Sequence, residues 1–252
     1  MNVQQPVPSG SPALARYPSF AALIEATRPT LPIYALHPQR FRTAARRFQD
    51  YFPGTTMYAV KANPAPHVLD QIYDSGIRHF DTASLAEIEL IRSRYPDSQC
   101  HFMAPVRIPG EAGAAWRRHG IKDYVVDCDQ ELDKLLSETE GGKGLRIFVR
   151  VATPLGGAML ELSSKFGTSP ANAGRLLKRI ASAGAQTALT FHVGSQCLSP
   201  FTYAQAIELA RRAAVAAGPS VKIVARDVGA PETPLHDVDR SLGVQRHATA
   251  EE

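Results

Sequence analysis

A lysine that follows an apolar run is the first residue of this chain whose type and position indicate chemistry. Lys61 comes directly after residues 56–60, which predict a short buried strand, and lysine is rarely fully buried without a partner. Pro64 and Pro66 end that strand, so the ammonium is predicted at its carboxyl end, the edge where parallel α/β folds keep their active sites. We expect a partly dry pocket there, in which the amine can attack a carbonyl carbon, as a Schiff base requires.

Three further polar residues are predicted at the carboxyl ends of other strands. Asp81, Arg150 and His192 lie in or directly after apolar strand-like runs, so a barrel would bring them to the rim that holds the lysine. Each has a plainer interpretation: Asp81 as a turn residue, Arg150 as half of a structural ion pair and His192 as a satisfied core histidine. Glu87 lies three residues after Ser84, a capping-box spacing that explains it without a ligand. Convergence on one rim favours an active site.

This combination of an amine, an arginine and backbone N–H groups suits one cofactor. The arginine and the N–H groups can bind a phosphate or phenolate oxygen, while the amine can bind an aldehyde. Pyridoxal phosphate carries these groups, and its ring accepts the electrons of a carbanion formed at the α-carbon of an amino acid. The sequence therefore predicts pyridoxal phosphate as cofactor and an amino acid as the small-molecule substrate.

The elements that must position these residues alternate between strand-like and helix-like from residue 31 onward. About seven strand–helix units predict a (β/α)8-type barrel in the α/β class, and an open doubly wound sheet is the alternative. After the run 56–60, the predicted strands are 79–83, 100–104, 124–128, 145–152, 188–193 and 221–228. The predicted helices include 112–119, 130–137, 170–183 and 201–217, one helix through Phe41, Ala45 and Phe48, and one closed by Gly76. No eighth strand is recognisable after Gly229, so the barrel is expected to be incomplete.

Length and composition indicate one large domain. The chain has 252 residues, 44% of them hydrophobic, which is enough for a sizeable core. Residues 1–30 are predicted to be a partly disordered leader, 31–229 the barrel and 230–252 a divergent polar tail. No run approaches the ~20 apolar residues that cross a bilayer, so no membrane association is expected.

Cysteines and charge restrict the setting and the partners. Cys100, Cys128 and Cys197 form no even set and lack metal-ligand spacing, which favours a cytoplasmic protein without a metal site. The net charge is +4, but the arginine pairs lie far apart on separate predicted helices. Nucleic acid is therefore not an expected partner.

Four motifs, in this order, strongly resemble one family. They are Tyr58-Ala59-Val60-Lys61-Ala62-Asn63, Phe80-Asp81-Thr82-Ala83-Ser84, Leu162-Ser163-Ser164-Lys165-Phe166-Gly167 and His192-Val193-Gly194-Ser195-Gln196. The chain resembles the fold-type III pyridoxal-phosphate decarboxylases of basic amino acids from about Pro32 to Gly229. The second and third motifs look more like ornithine or lysine decarboxylases than diaminopimelate decarboxylases. Alanine racemases share the Val-Lys-Ala-Asn start and usually continue differently.

The resemblance implies a barrel of the alanine racemase and ornithine decarboxylase kind, a homodimer, and decarboxylation of ornithine or lysine to a polyamine-type diamine. It also implies that Lys61 holds the cofactor covalently and that His192 stacks on the ring. Ser195 and the backbone around Gly229 would contact the phosphate. The side nearest the lysine and the ring hydroxyl would be lined by Asp81, Glu87 and Arg150.

The chain departs from the family pattern at the end of the last predicted strand. The family continues with two more glycines after Gly229, whereas this chain has Ala230 and Pro231, which predicts an incomplete phosphate turn. The Glu-Pro-Gly-Arg motif and the C-terminal β-domain, which brings a cysteine and an aspartate into the partner's site in these dimers, are also expected to be missing. Cys197, in the barrel portion, does not replace that cysteine. We hypothesise a truncated or frame-shifted copy; a non-catalytic regulatory homologue and a ligand-free barrel remnant are the alternatives to an enzyme.

Overall fold

A parallel sheet forms the centre of the computed structural model, which describes residues 14–153, 165–194, 197 and 199–229. Its strands are β1 (Met57–Ala59), β2 (His79–Thr82), β3 (Gln99–Phe102), β4 (Asp123–Val126), β5 (Arg146–Val151), β6 (Gln186–His192) and β7 (Ile223–Gly229). Each strand pairs in parallel with the next one along the chain, in the order β1 to β7. Doubly wound sheets reverse their strand order at a switch point, so the sequential order confirms the barrel-type prediction.

Helices connect consecutive strands and cover the outer face of the sheet. They are α1 (Phe20–Thr27), α2 (Pro38–Tyr51), α3 (Pro66–Asp74), α4 (Leu85–Arg94), α5 (Glu111–His119), α6 (Asp129–Glu138), α7 (Pro170–Ser182) and α8 (Pro200–Ala217). Proline occupies the first turn of α2, α3, α7 and α8, where its fixed φ suits a helix and its missing N–H has no helical partner. The predicted element boundaries differ from these by at most two residues. No helix in the described ranges is long and apolar enough to span a bilayer.

Helix α1 lies within the segment predicted to be a leader. The Ser19 hydroxyl accepts the Ala22 N–H at 3.1 Å and caps the helix, while none of the α1 residues is buried. Residues 230–252 lie outside the described part of the chain. The division into leader, barrel and tail therefore stays a prediction.

Alternate residues along the strands build two separate cores. Outward-facing side chains such as Tyr58, Phe80 and Tyr124 belong to the large cluster that includes the helices. A second apolar cluster consists of Met103, Val125, Phe148, Ala188 and Ala225. Because side chains two positions apart share one face of a strand, these residues identify the inner face of the barrel.

A polar network lies on that inner face, towards the amino ends of the strands. His79 Nδ1 and His101 Nε2 lie 3.0 Å apart, and Asp123 accepts hydrogen bonds from His101 Nδ1 and from Arg146 Nε at 2.9 Å. Burial alone would raise the pKa of Asp123, but the hydrogen bonds from His101 and Arg146 outweigh it and lower the pKa to about 2. Burial and the charge of His101 lower the pKa of His79 to about 4.

Candidate active site

The predicted nucleophile Lys61 lies just beyond the end of β1. The strand ends at Ala59, and a 3₁₀ turn, Val60–Ala62, carries Lys61 out past the sheet. Asn63 then turns the chain, its side-chain oxygen accepting the Ala65 N–H at 3.1 Å. Lys61 is exposed as a result, so the expectation of a partly dry pocket for its amine is wrong.

Two acidic residues of the next unit come close to the lysine. Asp81 is buried on β2, directly paired in register with Ala59. Glu87 sits in the first turn of α4, where its carboxylate accepts the Ala83 N–H at 2.7 Å, and its own N–H donates to Ser84 Oγ at 3.3 Å. Ser84 therefore caps α4 as predicted, whereas the Glu87 carboxylate binds the Ala83 N–H and not the Ser84 N–H of a capping box. Burial raises the pKa of Glu87, as does the charge of Asp81, while the Ala83 hydrogen bond and the charge of Lys61 oppose that shift.

Arg150 occupies the inner face of β5 and interacts with carboxylates on β2, on β7 and directly after β4. Burial lowers the pKa of its guanidinium, whereas the charges of Asp127, Asp227 and Asp81 raise it. The Phe166 ring also lies 5.1 Å from Arg150 Cζ, in cation–π range. The charge of Asp81 thus raises the pKa of both Glu87 and Arg150. The β1–β2 side of the rim is therefore electrostatically coupled to the β5 side.

His192 ends strand β6 and has a defined ring orientation. Its Nδ1 accepts the Gly194 N–H at 2.9 Å, so in the neutral ring the hydrogen is on Nε2. Its backbone carbonyl accepts the Thr153 hydroxyl at 3.0 Å. Gly229, its register partner on β7, lies so close that a Cβ there would stand 2.7 Å from His192 Cδ2. Only glycine allows the end of β7 to approach the imidazole in this way.

Six predicted site residues therefore share one rim, and one cannot be located. The rim carries Lys61, Asp81, Glu87, Arg150, His192 and Gly229. Ser195 lies outside the described residues, as do the first three residues of the Leu162–Gly167 motif. Among the residues that the structure describes, no three His, Cys, Asp or Glu side chains form a potential metal site.

Comparison with known proteins identifies the family to which this rim belongs. The model of the pyridoxal-binding domain of pyridoxal-dependent decarboxylases matches residues 38–229. This chain belongs to the pyridoxal-dependent decarboxylases. The matched region starts at helix α2 and ends at the last residue of β7, so it includes every strand described above.

Similar proteins have related names and are longer. A lysine/ornithine decarboxylase of Selenomonas ruminantium is 35% identical over 157 residues, covering 62% of this chain and 39% of that protein. Antizyme inhibitor 2 of Homo sapiens is 31% identical over 156 residues, covering 61% of this chain and 33% of that protein. The crystal structure of the Paramecium bursaria Chlorella virus arginine decarboxylase bound to agmatine superimposes with a TM-score of 0.73 at 26% identity, over 87% of this chain and 59% of that one. The chain thus spans well under half the length of these two curated relatives.

The residues of the rim fit pyridoxal phosphate, the cofactor of this decarboxylase family. Lys61 is exposed, so an aldehyde can reach its amine from solvent. His192 offers a ring fixed by the Gly194 N–H, and the missing side chain of Gly229 lets backbone approach closely, as phosphate-holding turns require. Arg150 adds a cation.

Sequence reasoning missed two aspartates of this site. Asp227 is 1% exposed on β7 and accepts the Thr190 hydroxyl at 2.6 Å, and Asp127 accepts the Gly167 N–H at 2.9 Å. Both act on Arg150. The available signal was their position: each is the last but one residue of a predicted strand, two residues beyond an inward-facing residue of the second apolar cluster, Val125 or Ala225.

Proposed function

We propose that this domain binds pyridoxal phosphate covalently through Lys61 and serves the decarboxylation of a basic amino acid, ornithine or lysine, to a diamine. The observation that carries the proposal is the shared rim: an exposed amine at Lys61, an arginine held among carboxylates, and an oriented His192 closed in by Gly229. The names of the relatives support the substrate class, since they include a lysine/ornithine decarboxylase at 35% identity.

Each described residue of the rim has a task that its environment supports. Lys61 binds the aldehyde, and the nearby carboxyl group of Glu87, whose pKa burial raises, can hold or release a proton beside that amine. His192 supports the ring face in one orientation because Gly194 fixes its imidazole. Ser195 and the Gly229 backbone would contact the phosphate, and Asp81 and Arg150 would line the side nearest Lys61 and the ring hydroxyl. When bound, pyridoxal phosphate supplies the electron sink for the charge left by departing carbon dioxide.

A regulatory homologue without catalysis is the second candidate, because one relative is named antizyme inhibitor 2 and is 31% identical to this chain. Such a protein would keep the barrel without releasing carbon dioxide. As for location, the described cysteines are free thiols, and we propose the cytoplasm, where thiols stay reduced.

The proposal is tested by mixing the purified chain with pyridoxal phosphate and recording its visible absorbance band. Lys61→Ala should abolish the band, whereas Lys165→Ala, which removes another exposed lysine near the same rim, should keep it. A band of equal strength in the Lys61→Ala protein would show that this residue is not the point of attachment. Release of carbon dioxide from ornithine, lysine or arginine then separates the decarboxylase from the regulatory homologue.

The approach of Gly229 to His192 offers an independent check. A Cβ at position 229 would push the imidazole away from its present place, since the distance of 2.7 Å to Cδ2 is shorter than real side chains allow. Gly229→Ala should therefore weaken cofactor binding by at least about tenfold, equivalent to about 1.4 kcal/mol. Unchanged affinity would remove His192 from the binding site.

A further inference from the structure

Residues 165–169 form a short extension beside the carboxyl end of β5. Thr168 pairs in parallel with Val151 in an isolated bridge, its N–H donates to the Arg150 carbonyl at 2.9 Å, and its carbonyl accepts the Ala152 N–H at 2.9 Å. The backbone of Arg150 is thereby bonded to the segment that carries the Lys-Phe-Gly end of the third motif.

Gly167 fixes the path of this extension. Its φ is +93°, a conformation that residues with side chains rarely adopt, and a Cβ there would lie 2.7 Å from the backbone nitrogen of Ala152. Its N–H donates to Asp127 Oδ2 at 2.9 Å, across 40 residues of sequence. A side chain at the end of β4 thus holds a turn that lies beside β5.

The same carboxylate acts on Arg150. Burial lowers the pKa of the guanidinium, and three carboxylates raise it. Asp127 has the largest of these three effects, ahead of Asp227 and Asp81. Phe166, the residue before the held glycine, stands over the guanidinium at 5.1 Å. Asp127 therefore affects Arg150 twice: by its charge, and through the turn that places Phe166.

We propose that Asp127 is a positioning residue, which holds the Gly167 turn and the Arg150 guanidinium in one arrangement and so acts on the cofactor through Arg150. This inference rests on the proposed function, because it assumes that Arg150 faces the bound cofactor. A carboxylate suits both tasks, since one oxygen can accept the amide hydrogen while the negative charge holds the cation. An asparagine would keep the first task and lose the second.

Asparagine and alanine variants separate the two tasks. In Asp127→Asn the amide exchange of Gly167 should stay as in the wild type, while affinity for pyridoxal phosphate falls about three- to tenfold and the urea midpoint of unfolding falls, because the Arg150 guanidinium loses a counter-charge. In Asp127→Ala the Gly167 and Thr168 amides should exchange at least about tenfold faster, and affinity should fall further. Asp129→Asn is the matched control, because Asp129 lies two residues away and pairs instead with Arg175 and Arg179 on the surface.

A double-mutant cycle shows whether Asp127 acts through Arg150. In an Arg150→Gln background, adding Asp127→Asn should change neither cofactor affinity nor urea unfolding beyond the effect of the first substitution. If Arg150→Gln does not fold, Arg150→Lys replaces it, and the effect of Asp127→Asn should shrink there. Full additivity in both readouts would overturn the proposal, as would wild-type affinity and exchange in the Asp127→Ala protein.

Failure of the proposed function looks different. In that case the wild type shows no Lys61-dependent absorbance band, whereas the exchange rates and the unfolding cycle, both measured without cofactor, still report on Asp127. Slow Gly167 exchange that depends on Asp127, together with coupling to Arg150 in unfolding, would then uphold the positioning role.

Discussion

Replacing His79 by asparagine should make the folded protein less sensitive to acid. His79 lies at the amino end of β2, and its Nδ1 shares a hydrogen with His101 Nε2 at 3.0 Å. Burial, and then the charge of His101, lower its pKa from 6.5 to about 4. Between these pH values the unfolded chain binds a proton at His79 that the folded chain does not, so the free energy of unfolding falls as the pH falls.

The size of the effect follows from the shift. A fully buried histidine with the same shift would contribute about 3 kcal/mol to the free energy of unfolding. This contribution is complete above the pKa of the unfolded state and is lost as the pH falls to the pKa of the folded state. His79 is only partly buried, so water screens much of this, and we expect a loss of about 1–2 kcal/mol between neutral pH and pH 4. The contribution of Asp123 to stability does not change in this pH range, because it is lost only as the pH falls below the ordinary pKa of 3.8 towards about 2.

The assay is urea unfolding followed by circular dichroism, at intervals from about pH 4 to about pH 7.5. In His79→Asn the side-chain amide can replace Nδ1 in the bond to His101, but it does not titrate. The difference in unfolding free energy between wild type and variant should grow by about 1–2 kcal/mol in favour of the variant as the pH falls. His37→Asn is the matched control, since His37 is exposed. Parallel pH profiles for wild type and His79→Asn, or an equal flattening in the control, would refute the reasoning.

Further substitutions test the contacts around the rim by urea unfolding. Gly167→Ala should cost about 2–4 kcal/mol, because it adds left-handed strain and a clash with backbone 2.7 Å away; a loss below about 0.5 kcal/mol would contradict the turn described. Glu87→Gln keeps an oxygen that can accept the Ala83 N–H and should stay near wild type, whereas Glu87→Ala should cost about 1 kcal/mol. Equal stabilities for these two would mean that the cap contributes nothing. Thr190→Val removes the hydrogen bond to buried Asp227 and should lower the free energy of unfolding by about 1–3 kcal/mol. An unchanged free energy of unfolding would show that this hydrogen bond does not stabilise the buried carboxylate.

The sequence determined the elements and one edge of the sheet. Apolar period and turn residues predicted each described strand to within two residues, because local burial sets that period. The Ser84 cap of α4 and the left-handed Gly76 after α3 are local as well, and both are present. Once alternating units indicated a parallel barrel, the carboxyl ends of the strands had to share a rim. Lys61, Arg150 and His192 could therefore be placed on one rim by strand position alone.

The tertiary structure decided which side chains meet there and how exposed they are. Asp127 accepts the Gly167 N–H across 40 residues of sequence, and Asp227 accepts the Thr190 hydroxyl across 37. Such pairs depend on register between strands, which the period within one strand does not contain. The turn that carries Lys61 beyond β1 also escaped prediction, because apolar residues continue through Val60 although the strand stops at Ala59. Sequence alone thus located the rim and its amine, and only the packing of strands against one another supplied the carboxylates that surround Arg150.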